Sequence, residues 1–179
     1  MAIQPGDIVL NYSIKTGSAG NTTASNAASS LGKYVSTTEI ASGVLYNLFP
    51  TLTGDQNSSG ASDYKCVFVR NKHSTLTLIA PVVWLTGLTA SSTTYSIGLD
   101  SNPASLVGAS AAQAALIATT ANAPAGVTFS APTTKSAGIA LGDLPPLSCI
   151  ALWVKRKAND TGALASDSIT LALDGDTRA

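Results

Sequence analysis

Residues 61–85, ASDYKCVFVRNKHSTLTLIAPVVWL, decide the fold. Tyr64, Cys66 and Phe68 fall on one face of an extended chain and Val67 and Val69 on the other, until Asn71-Lys72-His73-Ser74 breaks the alternation. A second arm follows, in which Leu76, Leu78 and Ala80 alternate with Thr75, Thr77 and Ile79. Two extended arms around four turn-forming residues predict a β-hairpin. Pro81 has no N–H to give to a ladder, so the second arm is an edge strand or bulges there before continuing as Val82-Val83-Trp84-Leu85.

Upstream of this stretch, Ile8, Leu10, Tyr12 and Ile14 recur at period two and predict a strand. Residues 17–30, GSAGNTTASNAASS, have almost nothing to bury and read as a loop. Residues 1–30 are therefore read as an N-terminal strand on a flexible arm, suited to pairing with the sheet edge of a neighbouring subunit, and 31–179 as one β domain. Within 31–50, Ser36 and Glu39 have capping-box spacing, and Ile40, Val44, Leu45 and Leu48 then share a helical face, with Gly43 inside the segment and Pro50 ending it. This predicts a helix of two or three turns at most, acting as a plug over one end of the fold or as a clasp for a partner.

Downstream, Thr94–Leu99 reads as a third strand with Tyr95, Ile97 and Leu99 inward. Residues 100–126 are rich in Ala but interrupted by Gly108 and Pro124, which predicts a long, partly irregular crossover with room for a turn or two of helix at Gln113–Ile117. Val127, Phe129 and Ala131 begin another strand, stopped by Pro132, and Ile139 and Leu141 lead to a turn at 142–146. In LSCIALWVKRK, residues 147–157, Cys149, Ala151 and Trp153 share one face and Ile150, Leu152 and Val154 the other. Both faces are apolar, so this is read as the longest and most central strand, emerging into solvent at Lys155-Arg156-Lys157. Ser168–Leu173 is the last strand, closed by a turn at Asp174-Gly175-Asp176. Seven or eight short strands with little firm helix predict a mainly β fold: an antiparallel β-sandwich of jelly-roll or immunoglobulin-like type with an extended N-terminal arm.

Composition narrows the function. The 10 Lys and Arg balance the 10 Asp and Glu, so there is no positive field to draw a phosphate backbone, and nucleic acid is not an expected partner. Charged residues are 11% of the chain against the usual quarter or so. Such a surface is either a neutral, hydrated Ser/Thr face or one covered by neighbouring subunits. No apolar run reaches the ~18–20 residues of a membrane span, and the N-terminus lacks the layout of a signal peptide, so neither a membrane nor secretion is expected. Cys66 and Cys149 lie in apolar runs and read as buried thiols, facing each other across the core without bonding.

Chemistry-bearing constellations are not expected. His73, the sole histidine, sits in the predicted turn and reads as solvated, with no hint of a triad around it. One His and two isolated Cys give no metal-ligand spacing, and Asp174, Asp176 and Asp160 fall short of a calcium loop. The glycines occur as GSAG or GDLP, never between a strand and a helix in a phosphate-cradling pattern. Asn11, Asn21, Asn57 and Asn159 begin Asn-x-Ser/Thr triplets of the kind a Ser/Thr-rich chain produces by chance. Lys155-Arg156-Lys157 reads as a solvated strand end, and Trp84 and Trp153 as core residues rather than sugar-stacking ones. No catalytic, cofactor-binding or metal residue is assigned, and the chain is expected to be neither an enzyme nor a cofactor carrier.

The succession LGKYVSTTEI, YNLFPTLTGDQNSSGASDYKCVFVRN, TLTLIAPVVWL, SIGLD, APAGVTFSAPTTKSAGIALGDLPP and CIALWVKR resembles a family of tailed-bacteriophage virion structural proteins, over about residues 7–176. Asp63-Tyr64-Lys65-Cys66 running into Arg70-Asn71 is its most specific piece. The resemblance implies a β-sandwich repeated in a virus particle, assembled in the host cytoplasm. From it and the low charge we expect a capsid decoration or cement protein. Its partners would be the major capsid protein or other virion subunits, and it would itself be a homo-oligomer, taken as a trimer. Ile8, Leu10, Tyr12, Ile40, Leu45, Leu48 and Phe49 are the expected partner-interface residues. The alternatives are a neck, tail or baseplate component, and a carbohydrate- or receptor-binding module, which needs exposed aromatics.

Overall fold

The structure is a computed structural model that describes residues 2–16, 23–89, 93–159 and 168–178. Its strands are β1 (Ile8–Ile14), β2 (Tyr34–Glu39), β3 (Ser62–Asn71), β4 (Thr77–Thr89), β5 (Thr93–Leu99), β6 (Ser105–Leu106), β7 (Ile139–Ala140), β8 (Ser148–Ala158) and β9 (Ser168–Arg178). One short helix, α1 (Gly54–Ser58), is capped by Thr53 and Gln56. The larger sheet runs β2-β1-β3-β8-β5 with β6 also on β8, and the smaller runs β7-β4-β9. Every pairing is antiparallel. The chain is an antiparallel β-sandwich. Among the described residues, no helix is long and apolar enough to cross a membrane.

The larger sheet is buried on both faces. Val67, Val69, Ile97, Ile150, Leu152 and Val154 meet Leu78, Val83 and Leu85 of the smaller sheet to form the inter-sheet core. On the opposite face Tyr64, Cys66, Phe68, Cys149, Ala151 and Trp153 form a second core, covered by Leu31, Val35, Val107, Ala114 and Ile117. The apolar residues on both faces of β3 and β8 therefore serve two cores, and both strands lie inside the sheet as their sequences require. Cys66 and Cys149 are free buried thiols on the same face of these neighbouring strands, not facing each other across a core.

Residues 61–85 do not form a hairpin. β3 pairs with β1 and β8, whereas β4 lies in the other sheet between β7 and β9, so residues 72–76 are a corner that crosses the sandwich. The turn is held by side chains instead of a ladder. Asn71 Nδ2 donates to the carbonyls of Leu76, Leu144 and Pro145, Asn71 Oδ1 accepts from the His73 N–H, and His73 Nδ1 accepts from the N–H groups of Thr75 and Leu76. His73 is thus a structural acceptor in the corner. At Pro81 β4 bulges, with a register shift between Ile79 and Val82 and Ala80 at φ +45°.

Other elements depart from the sequence expectations. Ser36 and Glu39 begin no helix. Tyr34-Val35-Ser36-Thr37-Thr38-Glu39 is β-prone and pairs with β1, and the residues after it turn through left-handed φ at Gly43 and Tyr46. Both sides of β1, expected to offer itself to a neighbour, are paired within its own chain by β2 and β3. Residues 17–22 of the expected arm lie outside the described residues. Val127–Ala131 forms no strand, only a bridge: Ser130 exchanges backbone bonds with Ile97 in one sheet, and the Pro132 carbonyl accepts from Leu85 in the other, so the segment ties the two sheets together. Asp174-Gly175-Asp176 is not a turn but part of β9, opposite the bulge. The longest strand is β4, with 13 residues against 11 in β8.

Candidate interaction surface

After β2 the chain is anchored, released and anchored again. Ile40 donates its N–H to the Leu10 carbonyl at 2.7 Å and packs against the inter-sheet core. Asn47 then closes the loop, its Nδ2 donating to the Ala41 carbonyl and its own carbonyl accepting from the Tyr12 hydroxyl. Burial raises the Tyr12 phenol above its ordinary pKa, which keeps the hydroxyl a donor. Leu48 and Phe49 return to the core. Between the anchors Val44, Leu45 and Tyr46 are 55%, 71% and 58% exposed, three consecutive large apolar residues facing solvent. The bend that presents them needs left-handed backbone, easy at Gly43 (φ +75°) and strained at Tyr46 (φ +58°).

The base of the loop is braced from below by charge. The Arg156 guanidinium lies 4.8 Å from the Phe49 ring centroid, its Nη1 donates to the Pro50 carbonyl at 2.5 Å, and its Nη2 meets Asp63 Oδ2 at 2.7 Å. Asp63 Oδ1 accepts from the Thr120 hydroxyl, and Phe49 tilts against Tyr95 with ring centroids 6.2 Å apart. Arg156 and Asp63 are both buried, so the predicted solvated basic end is solvated only at Lys157 and in part at Lys155. Lys65, one alternation further along β3, is also buried and donates to the Ala27 carbonyl. Desolvation, opposed by Asp63 and reinforced by Arg156, brings its ammonium down to about 8.

The seven residues expected at an interface divide sharply. Ile8, Leu10, Ile40 and Leu48 pack against the inter-sheet core, Phe49 belongs to it, and Tyr12 is buried beneath the loop. Leu45 alone is presented to solvent, in the company of Val44 and Tyr46. Tyr46 and the Asp63–Arg156 brace escaped the sequence reading. The brace was signalled by parity, since Asp63 and Lys65 alternate in phase with Val67 and Val69, and Arg156 with Leu152 and Val154.

Asp174 pairs with Lys135 at 2.6 Å on the surface, which lowers the carboxyl and raises the ammonium. Asp160 and Asn21 lie outside the described residues, and Asn11 is wholly buried in β1. Among the described residues, no group of three or more His, Cys, Asp or Glu is placed to hold a metal ion. Trp153 is fully buried, its Nε1 donating to Asp100 Oδ2 at 2.7 Å, while Trp84 is half-buried opposite Ala172. Comparison with protein-family models, with curated proteins and with solved structures finds no match for this chain.

Proposed function

We propose that this chain is a structural subunit of a larger assembly, a virion decoration protein that docks on neighbouring coat subunits through the loop 43–46. The observation that carries this reading is a rigidly braced loop with three successive apolar side chains at its tip. Preorganised apolar side chains on a fixed base lose little entropy on docking, and large central ones dominate interface energies. The low charge of the chain supports it as well, since a surface of Ser, Thr, Asn and Ala can be covered without stranding ions. So does the resemblance to phage structural proteins, which points to the major capsid protein as the docking partner.

The test is co-sedimentation with capsids assembled without the protein. Wild type is expected to pellet with the shells, and Leu45→Ser, with Leu45 already exposed, to fold normally and bind about thirtyfold more weakly, the effect of losing about 2 kcal/mol at a central anchor. Failure of the wild type to bind such shells removes the decoration reading.

A further inference from the structure

Arg70, on the outer face of the larger sheet, is placed to receive an anion. It stands opposite Cys149 in the register and continues the row Tyr64, Cys66, Phe68 toward the corner at His73. Arg156 is the comparison within this chain: its Nε is likewise enclosed without an acceptor, but both its terminal nitrogens are bonded and its face is covered by Phe49. Among the described residues the Arg70 side chain makes no hydrogen bond, ion pair or ring contact, and its Nε is enclosed without an acceptor. A guanidinium held so is strongly underused, because each charge-assisted bond it lacks is stronger than a neutral one.

What lies beside it is apolar and shaped. A cleft of about 480 Å³ is lined by Arg70, Leu106, Val107, Gly108, Ala109 and Leu147. That volume falls within the roughly 300–1,000 Å³ of small-ligand sites. Leu106 and Leu147 on its walls are 63% and 47% exposed, so an occupant would bury apolar surface that now faces water. The walls are fixed. β6 pairs with β8 at Ser105–Cys149, the Leu147 N–H donates to the His73 carbonyl, and the Leu147 carbonyl accepts from Val107. Leu147 holds a left-handed φ of +55° in the turn that the Ser148 N–H closes on the Pro145 carbonyl.

We infer that this cleft binds a small carboxylate on a short apolar chain, the carboxylate paired with the Arg70 guanidinium and the chain lying between Leu106 and Leu147. Carboxylate suits the planar fork of arginine, and an unbranched apolar tail suits an open, leucine-walled trough. The site is independent of the docking loop and of the assembly reading.

The probe is hexanoate, with acetate and hexanol as controls, followed by the Nε–Hε signal of Arg70 in a heteronuclear NMR titration. Hexanoate is expected to give a saturable shift of that signal, with acetate and hexanol each weaker by about tenfold or more, since each supplies only half of the contacts. Arg70→Met is expected to lose hexanoate binding, read from the amides of Leu106 and Leu147, while its thermal transition stays cooperative. Leu106→Ser, a change at an exposed position, is expected to weaken hexanoate and leave acetate unchanged, and it serves if Arg70→Met does not fold. Absence of a saturable hexanoate shift overturns the inference. So does equal binding of hexanol, or retention of hexanoate by both variants.

Discussion

Asp63 and Arg156 form the one ion pair among the described residues that is closed off from water, the Lys72–Glu39 and Lys135–Asp174 pairs being exposed. Exposed pairs contribute little, but removing one partner of a buried pair strands the other, at a cost of about 3–5 kcal/mol. Asp63→Asn is therefore expected to lower the unfolding free energy by about that amount in urea titrations, whereas Glu39→Gln changes it by well under 1 kcal/mol. Lys65 adds a pH signature. Its folded pKa, about 8, lies below its ordinary value of 10.5, so the unfolded chain binds the extra proton between those limits and stability contributed by this residue rises with pH across that window. Cys66 and Cys149 act oppositely: burial raises both thiols, Cys149 to about 12, so their contribution falls above pH 9 as the unfolded thiols ionise. Comparing wild type with Lys65→Met cancels the thiols. The stability of wild type relative to the variant should climb by of order 3 kcal/mol between about pH 8 and 10.5, and a flat difference would show that Lys65 is not desolvated. Of these groups the sequence exposed only the parity. It could not reveal that Asp63 and Arg156 stand opposite each other, because that depends on the register of β3 on β8, set by the whole sheet.

At the scale of elements, strand positions were legible where a strand is buried and its alternation clean, as in β1, β3, β5 and β8. Partnership was not. The run from Asp63 to Leu85 alternates like a hairpin, and nothing local distinguishes a return alongside β3 from a crossing to the other sheet. The residues that decide it act far along the chain, Asn71 on the Leu144 and Pro145 carbonyls and His73 through its own carbonyl on the Leu147 N–H. Asn71→Ala would leave the buried Leu76 carbonyl without its donor and remove one of the bonds to the Leu144 and Pro145 carbonyls, which keep those from Leu78 and Ser148, so about 1–3 kcal/mol of stability should be lost, an amount a solvated hairpin turn would not show. Chemical denaturation of Asn71→Ala beside Ser74→Ala, an exposed corner residue expected to be nearly neutral, measures the difference. The predicted helix after Ser36 failed for a related reason. Its spacing satisfied a capping box, but β1 offered an open edge to a β-branched hexapeptide, and sheet pairing overrode a weak local preference.

The molecule as a whole has three layers: the small sheet, the large sheet, and a cover of irregular chain drawn mainly from residues 100–131. Apolar residues on both faces of β8 made a covering for each face legible, yet the identity of the second cover was not, because residues 100–126 carry neither helical nor strand periodicity. They are held by single backbone bonds to Leu31, Lys33, Tyr64, Leu147 and Ala151, by the short pairing of β6 with β8, and by buried polar side chains. Gln113 Oε1 accepts from the Val35 N–H while its Nε2 donates to the Leu106 carbonyl and Ser105, and Asp100 accepts from Trp153 and the Ala115 N–H. A layer joined to the sheet by scattered bonds and not by a continuous ladder should open as a unit before the inter-sheet core does. Cys66 and Cys149 lie directly beneath it and report on that opening, since a buried neutral thiol reacts only when exposed. Gln113→Ala, by unfastening the cover, is expected to speed thiol labelling of Cys149 at pH 8 by about tenfold or more, the effect of losing one or two buried hydrogen bonds, while amide exchange in β4 changes much less. Mass spectrometry of labelled peptides separates the two cysteines. If labelling and β4 exchange instead accelerate by the same factor, the cover and the sandwich open together and the three layers are one cooperative unit.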